Sequence, residues 1–171
     1  MASEKTILLT KETNELFPVF LKLEQLRLVI IGGGEIGLEK LNAVIQNSPA
    51  ATVTLVATTI KDEIRNLAAQ YSSIQLFERP YQPEDFNACD VVIVAVNDKK
   101  ISREIYEAAK SKGKLVNVAD TPELCDFYLS SVVKKGNLKI AISTNGKSPT
   151  IAKRLKESFS EMLPDEIDDV L

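Results

Sequence analysis

The chain has 171 residues, a mass of 18.9 kDa and a formal net charge of -3, with 44% apolar and 26% charged residues. This composition is typical of a globular domain that buries its own core, and the slightly acidic balance argues against a general nucleic-acid binder. The absence of histidine and the presence of only two cysteines exclude His-based catalytic triads, imidazole metal sites and a disulfide framework.

The sequence indicates no membrane association and no resident metal. No stretch approaches the ~20 consecutive apolar residues that a membrane-spanning helix needs, and residues 1–11 carry charges without the apolar core of a secretory leader. We therefore expect a protein of the reducing cytoplasm that binds neither membranes nor nucleic acid.

The predicted elements alternate between strand and helix from residue 27 to residue 118. A polar lead-in over residues 1–14 and an apolar cluster around Pro18 come first. The apolar runs 28–31 and 91–95 do not alternate with polar residues, which is typical of strands buried on both faces of a parallel sheet. Strands are predicted over 27–31, 52–57, 74–77, 90–95 and 115–118, and helices over 35–46, 60–69 and 101–110. This order predicts an α/β fold, a Rossmann-like doubly wound parallel sheet.

Two short motifs predict where helices begin. Thr59 with Asp62 three residues later resembles a capping box for the second helix. Ser148 followed by Pro149 predicts the start of a helix over residues 150–162.

The pattern changes after residue 120, where two consecutive strands, 127–133 and 138–143, predict a hairpin. Three large apolar residues, Phe127 to Leu129, cannot all face one small core if they lie in a strand, so one face is expected to pack on a second copy of the chain. Residues 163–171 form a short acidic tail.

The segment Gly32-Gly33-Gly34-Glu35-Ile36-Gly37 contains the pattern G-x-G-x-x-G between a predicted strand and a predicted helix. In that context Gly32 permits a tight turn, Gly34 lets the backbone approach a pyrophosphate, and Gly37 allows close packing of helix on strand. The pattern favours dinucleotide binding over a tight turn without a ligand. An acid at the end of the second strand usually holds the ribose hydroxyls. That acid is missing here, because Thr58 and Thr59 stand where the carboxylate would be.

Polar residues follow two other predicted strands. Asn97 is a candidate for the nicotinamide side of the cofactor, whereas Asp98 is better interpreted as a helix cap. Asp120 follows strand 115–118 and suits either a catalytic position in the crevice or a turn before Thr121.

The C-terminal third contains a cluster of basic residues and a polar loop. The basic residues suit a polyanionic ligand or a solvated face; they are Lys134, Lys135, Lys139, Lys147, Lys153 and Arg154. The loop offers hydroxyls, an amide and an ammonium beside a helix start, groups that hold carboxylates; it consists of Ser143, Thr144, Asn145, Gly146, Lys147 and Ser148.

Taken together, these motifs resemble the N-terminal module of sirohaem synthases, which also occurs alone as precorrin-2 dehydrogenase, with or without sirohydrochlorin ferrochelatase activity. The matching segments are Phe17-Pro18-Val19-Phe20, Val29-Ile30-Ile31-Gly32-Gly33-Gly34, Val116-Asn117-Val118-Ala119-Asp120 and Ser143-Thr144-Asn145-Gly146-Lys147-Ser148-Pro149. The resemblance covers about residues 16–164. The last segment departs from the usual S-S-G-G-x-S-P of the family at Thr144 and Asn145.

The resemblance implies a function and a division of the chain. It implies that NAD contacts Glu35, Ile36, Thr58 and Thr59, and that Asp120 is the general base. Residues 1–120 would be the NAD-binding domain, and 121–171 a dimerisation and substrate-binding region. The implied activity is NAD-dependent oxidation of precorrin-2 to sirohydrochlorin, with ferrous iron insertion as an open second activity. The alternative is a regulatory module that senses NAD without chemistry.

Overall fold

The computed structural model describes residues 13–164 and 166–167. The predicted lead-in over residues 1–14 and the acidic tail over 163–171 therefore lie largely outside the described residues. Among the described residues, 20–129 form one compact unit, and 13–19 with 130–164 and 166–167 form a second, smaller unit.

The larger unit contains a five-stranded sheet of order β3-β2-β1-β4-β5 in which every neighbouring pair is parallel. Its strands are β1 (Arg27–Ile31), β2 (Thr52–Ala57), β3 (Ile74–Glu78), β4 (Val91–Val94) and β5 (Leu115–Val118). The order reverses between β1 and β4, so the carboxyl ends of these two strands form the topological switch point at which doubly wound sheets bind ligands. The predicted Rossmann-like sheet is confirmed.

Helices cover both faces of this sheet. They are α1 (Glu35–Asn47), α2 (Asp62–Ala68) and α3 (Lys99–Lys110), with short 3-10 turns at Leu23–Gln25, Pro83–Phe86 and Pro122–Leu124. Leu28 and Ile30 of β1 belong to one buried cluster with residues of α1 and α2, whereas Val29 and Ile31 belong to the other with residues of α3. Burial on both faces explains why this strand is continuously apolar.

The predicted capping box at Thr59 is wrong. The helix begins at Asp62, its N-cap residue is Lys61, and no side chain caps it. The backbone N–H of Ile60 donates to the Glu78 carboxylate at 3.2 Å, and that of Lys61 donates to the Gly33 carbonyl at 3.0 Å. These long-range bonds make residues 58–61 a connection between β2 and α2 instead of a first helical turn.

The smaller unit contains an antiparallel hairpin of β6 (Ser131–Lys135) and β7 (Leu138–Ile142), followed by helix α4 (Pro149–Met162). The predicted cap is confirmed, because the Ser148 hydroxyl accepts from the backbone N–H of Ile151 at 3.3 Å. α4 packs against β6, with Ala152 buried.

The predicted strand over 127–133 is wrong in its first half, since β6 begins only at Ser131. Phe127 packs against the core cluster beneath α1 and α2, and its carbonyl accepts from the Asn117 side chain at 2.9 Å. Residues 127–130 are therefore a connection, and alternation along a strand gives no argument for a dimer from Phe127 to Leu129.

Candidate functional site

The turn between β1 and α1, together with the start of α1, contains three glycines that have no room for a side chain. Gly32 has a φ of 125°, and a Cβ on it would lie 2.2 Å from the Ala95 carbonyl oxygen. A Cβ on Gly33 would lie 2.3 Å from the Thr59 carbonyl oxygen, and one on Gly37 would lie 2.1 Å from the Gly32 carbonyl oxygen. Because all three obstacles are backbone atoms, no side chain fits at these positions. The predicted roles of Gly32 and Gly37 agree with this geometry, whereas the tight packing of Gly33 was not predicted.

Gly34 differs from its neighbours, because a Cβ there would meet no atom within 4 Å. It is exposed and occupies the N-cap position of α1, where no side chain caps the helix. The free amides and the positive end of the helix dipole at such a position favour an anion. The open space at Gly34 is what close approach of a pyrophosphate requires, so these residues fit a dinucleotide.

A cleft of about 580 Å³ opens at the carboxyl edge of the sheet. The sequence-predicted cofactor residues that line it are Gly32, Gly33, Gly34, Glu35, Ile36, Thr58, Thr59 and Asn97. Gly37 does not line the cleft, since it lies beneath the turn against Gly32. The structure thus brings together the ends of β1, β2 and β4.

The cleft is also lined by residues that belonged to no predicted site, among them Pro80, Tyr81, Ile101 and Glu104. Tyr81 stacks on the buried Phe86 with a centroid distance of 6.1 Å, and Ile101 is 41% exposed. Apolar surfaces at the mouth of a cleft are suited to a flat aromatic group. The one available signal was the position of Pro80 and Tyr81 just after a predicted strand.

Asp98 has a structural role. Its Oδ1 accepts from the backbone N–H groups of Lys100 at 2.8 Å and Ile101 at 3.0 Å. These are N-cap bonds to α3, so the predicted capping role is confirmed. Because Asp98 fixes the start of this helix, it also fixes Ile101 and Glu104 beside the cleft.

Asp120 lies in an exposed turn directly after β5, with a φ of 55°. It is at the carboxyl edge of the sheet but does not line the cleft. Left-handed φ values are uncommon outside glycine, and Asp and Asn are among the side chains that adopt them most readily. The structure thus explains the residue type by the turn, and the role of general base remains a prediction.

The loop that contains Asp120 folds back on β5, and hydrogen bonds join its end to that strand. The Asn117 amide donates to the Phe127 carbonyl at 2.9 Å, and the Asp126 carboxylate accepts from the Val116 backbone N–H at 2.8 Å. The Cys125 thiol donates to the Val118 carbonyl at 3.2 Å, and burial raises the pKa of this thiol above its ordinary value. A neutral thiol is therefore the form that holds the loop.

The loop between β7 and α4 is an internally bonded turn. Asn145 and Gly146 have φ values of 54° and 73°, and the Lys147 backbone N–H donates to the Thr144 carbonyl at 3.0 Å. Positive φ at both central residues is what a type I′ turn requires. Thr144 Oγ1 also accepts from the Ser148 backbone N–H at 3.2 Å. Asparagine suits this position because it adopts the left-handed region more readily than most residues.

The described residues contain neither a metal-binding cluster nor a membrane-spanning helix. Residues 13–164 and 166–167 hold no group of three or more His, Cys, Asp or Glu side chains arranged to bind a metal ion. In the same part of the chain, no helix is both long and apolar enough to cross a membrane.

The sequence matches two family models. One is described as putative NAD(P)-binding and matches residues 19–131. The other is described as sirohaem biosynthesis protein central and matches residues 135–162. The two matches follow one another along the chain.

The chain is similar in sequence to sirohaem synthases from several bacteria. The sirohaem synthase of Psychrobacter arcticus is 34% identical over 148 residues, which are 86% of this chain and 26% of that protein. Sirohaem synthase 1 of Cronobacter sakazakii is 32% identical over 150 residues, which are 88% of this chain and 31% of that protein. The chain therefore spans about a quarter to a third of the length of these relatives.

A solved structure is also similar. The structure of SirC, a precorrin-2 dehydrogenase, superposes with a TM-score of 0.74 at 26% sequence identity. The match covers 88% of this chain and 72% of that chain.

Proposed function

The chain belongs to the family of NAD(P)-binding modules shared by sirohaem synthases and precorrin-2 dehydrogenase, and from this membership we propose that it oxidises precorrin-2 to sirohydrochlorin with NAD as the electron acceptor. The observation that carries the proposal is the glycine turn, in which Gly32, Gly33 and Gly37 are sterically closed and Gly34 is open to the cleft. That geometry supports a pyrophosphate on the N-terminus of α1.

The oxidation removes two electrons and two protons from a partly reduced tetrapyrrole. NAD, when bound, accepts both electrons and one of the protons as a hydride. The chain's own task is to orient the ring and take the second proton, which we assign to Asp120. Its carboxylate is exposed at the carboxyl edge of the sheet, where a substrate can reach it without displacing the core.

The smaller unit supports binding of a polyanion. Residues 130–156 contain seven basic side chains and no acidic one; they are Lys134, Lys135, Lys139, Lys147, Lys153, Arg154 and Lys156. Precorrin-2 carries many carboxylates, which suit such a cationic surface. We assign the 143–148 turn to carboxylate binding, with Ser143 and Lys147 as the groups that contact substrate and Thr144, Asn145, Gly146 and Ser148 as the frame.

We further propose that the enzyme is a cytoplasmic homodimer. Its two cysteines, Cys89 and Cys125, are free thiols, which suits a reducing compartment. An exposed apolar stripe on α4, formed by Ile151, Leu155, Phe159 and Met162, suits a second copy of the chain.

A module that senses NAD without catalysis is the second candidate. The observation that favours it is that Asp120 does not line the cleft. A sensor needs the glycine turn but neither a base nor a basic surface for a tetrapyrrole.

The deciding experiment is anaerobic incubation of the protein with precorrin-2 and NAD, followed by absorbance. An active dehydrogenase should produce sirohydrochlorin and reduced cofactor together in equal amounts. A protein that binds NAD and leaves precorrin-2 unchanged would instead be a sensor. The incubation is then repeated with ferrous or cobaltous ion, because loss of the sirohydrochlorin spectrum only with metal and protein together would add chelatase activity.

A further inference from the structure

A group of six charged side chains begins at Glu35, which lines the cleft, and continues beside Thr58 and Thr59, where a ribose-binding acid is absent. We call these six side chains the carboxylate rim, because four of them are carboxylates and two are cations. They lie at the start of α1, in and around α2 and at the end of β3, and they are Glu35, Lys61, Asp62, Glu63, Arg65 and Glu78. Both cations of this rim are engaged by carboxylates.

Lys61 is held at the cleft by its backbone and its side chain. Its ammonium forms an ion pair with Glu35, a residue that lines the cleft, and lies 3.5 Å from a carboxylate oxygen of Glu63. The hydrogen bond to Glu35 is the main cause of a raised pKa for Lys61. The charge of Lys61 is therefore already matched by two carboxylates.

Arg65 is held in a similar way. Its Nη2 donates to Glu78 at 2.7 Å, and its Nε lies 3.9 Å from an Asp62 oxygen. Glu78 ends β3 opposite Ala57, the residue before Thr58, and its other carboxylate oxygen accepts from the Ile60 backbone N–H. Glu78 thus brings a carboxylate to the end of β2 from the neighbouring strand, and its bond to Arg65 lowers its pKa.

We infer that the carboxylate rim selects NAD over NADP. The inference rests on the proposed cofactor site. A 2′-phosphate adds close to two negative charges and is usually accommodated by an arginine near the end of the second strand. Here the two cations that could serve are paired with four carboxylates, so the rim is net negative and repels a phosphate. The uncharged 2′-hydroxyl of NAD meets no such penalty beside the Thr58 and Thr59 hydroxyls.

The test is calorimetric titration of the full chain with NAD and with NADP at low ionic strength. The variants are Glu35→Gln, Glu78→Gln and the double variant, since glutamine keeps the size and the acceptor oxygen while removing the charge. Glu39→Gln is the matched control, because Glu39 is an exposed carboxylate on α1 that pairs with Lys40 and does not line the cleft.

The native chain should prefer NAD, and the ratio of NADP to NAD affinity should rise about 3- to 10-fold in the double variant, as expected for loss of two exposed charges near a phosphate. The control should leave the ratio unchanged. Added salt should weaken the preference of the native chain for NAD, because it screens the repulsion of the phosphate. A native chain that binds both cofactors equally, or variants with an unchanged ratio, would overturn the inference while the proposed function stands. A native chain that binds neither cofactor would overturn both.

Discussion

At the residue scale, single atoms decide what each position of the glycine turn tolerates. Gly33 and Gly34 are adjacent, yet a Cβ on the first meets the Thr59 carbonyl oxygen at 2.3 Å and one on the second meets nothing within 4 Å. Packing requires the first glycine, and we expect the cofactor to require the second. If so, substitutions at the two positions separate an effect on folding from an effect on cofactor binding.

Replacing Gly34 with valine should lower NAD affinity at least about tenfold, because the side chain fills the space that the pyrophosphate needs. The melting temperature should stay close to native, since the space is empty without ligand. Gly33→Ala should instead lower the melting temperature, because its Cβ meets backbone. Titration and thermal unfolding of both variants check this; native NAD affinity in folded Gly34→Val would remove the fingerprint.

Asp120 is either the general base or only a turn residue, and two substitutions distinguish these interpretations. If it is the base, Asp120→Asn should lower kcat by about 10²–10⁴-fold with little change in NAD affinity. Asparagine also suits the left-handed φ of 55°, so this variant should keep native stability, whereas Asp120→Ala should lose about 1 kcal/mol in the free energy of unfolding. Steady-state kinetics and denaturant unfolding provide the two measurements.

The control for Asp120 is Glu123→Gln, which removes an exposed carboxylate from the same loop. A rise in KM together with a fall in kcat would indicate that Asp120 also orients substrate. Native turnover in Asp120→Asn would leave Asp120 only its role in the turn and would remove it as the general base.

At the scale of elements, one ion pair joins the amino ends of the two central strands. Asp90 accepts from the Arg27 backbone N–H at 2.8 Å and from its guanidinium at 3.2 Å, just before β4 and at the start of β1. Arg27 lowers the pKa of Asp90, first through the side-chain bond and then through the backbone bond. A carboxyl with a lowered folded pKa adds stability above its unfolded pKa of about 3.9 and loses it as pH falls through the folded value.

Asp90→Asn should therefore lower the melting temperature at pH 7, and the gap to the native protein should close as the pH falls below about 4. Thermal unfolding of both proteins across this range measures the gap. Glu107→Gln, on the exposed face of α3, serves as a control with the same change in charge. A gap that persists unchanged at low pH would contradict the linkage.

The sequence predicted those elements whose signals are local. The sequence signals for the glycine turn, the Asp98 cap and the Ser148 cap each consist of residues within a few positions, and all three features are present in the structure. The capping box at Thr59 is wrong because the helix begins only at Asp62, and the backbone before it is held instead by a distant bond, from the Ile60 N–H to the Glu78 carboxylate. The pattern of residue types around Thr59 contains no trace of that bond.

The same reasoning explains what was missed at the site. Tyr81 and Glu104 reach the cleft from the end of β3 and the middle of α3, which meet only when the sheet is assembled. Neither residue belongs to a motif. Asp120 illustrates the opposite case, since its motif is strong but its side chain does not line the described cleft.

At the scale of the whole molecule, the two units differ in how fully they bury their apolar residues. The larger unit covers both faces of its sheet, whereas the described residues of the smaller one form a hairpin and one helix. α4 exposes an apolar stripe at helical spacing, with Ile151 at 55%, Leu155 at 40%, Phe159 at 36% and Met162 at 72%. Such a stripe on a short helix is typical of a surface that is covered in an assembly.

We expect a dimer in which α4 and its symmetry mate cover these stripes. In a two-fold interface each residue contributes twice, so a single charge placed in the stripe is also buried twice. Leu155→Glu should therefore convert a particle of twice 18.9 kDa into a monomer at micromolar concentration. Thr150→Glu, an exposed position of α4 away from the stripe, should leave the dimer intact. Light scattering measures both masses, and circular dichroism checks that each variant stays folded. A native chain of monomeric mass, or a Leu155→Glu variant that remains dimeric, would show that α4 is not the interface.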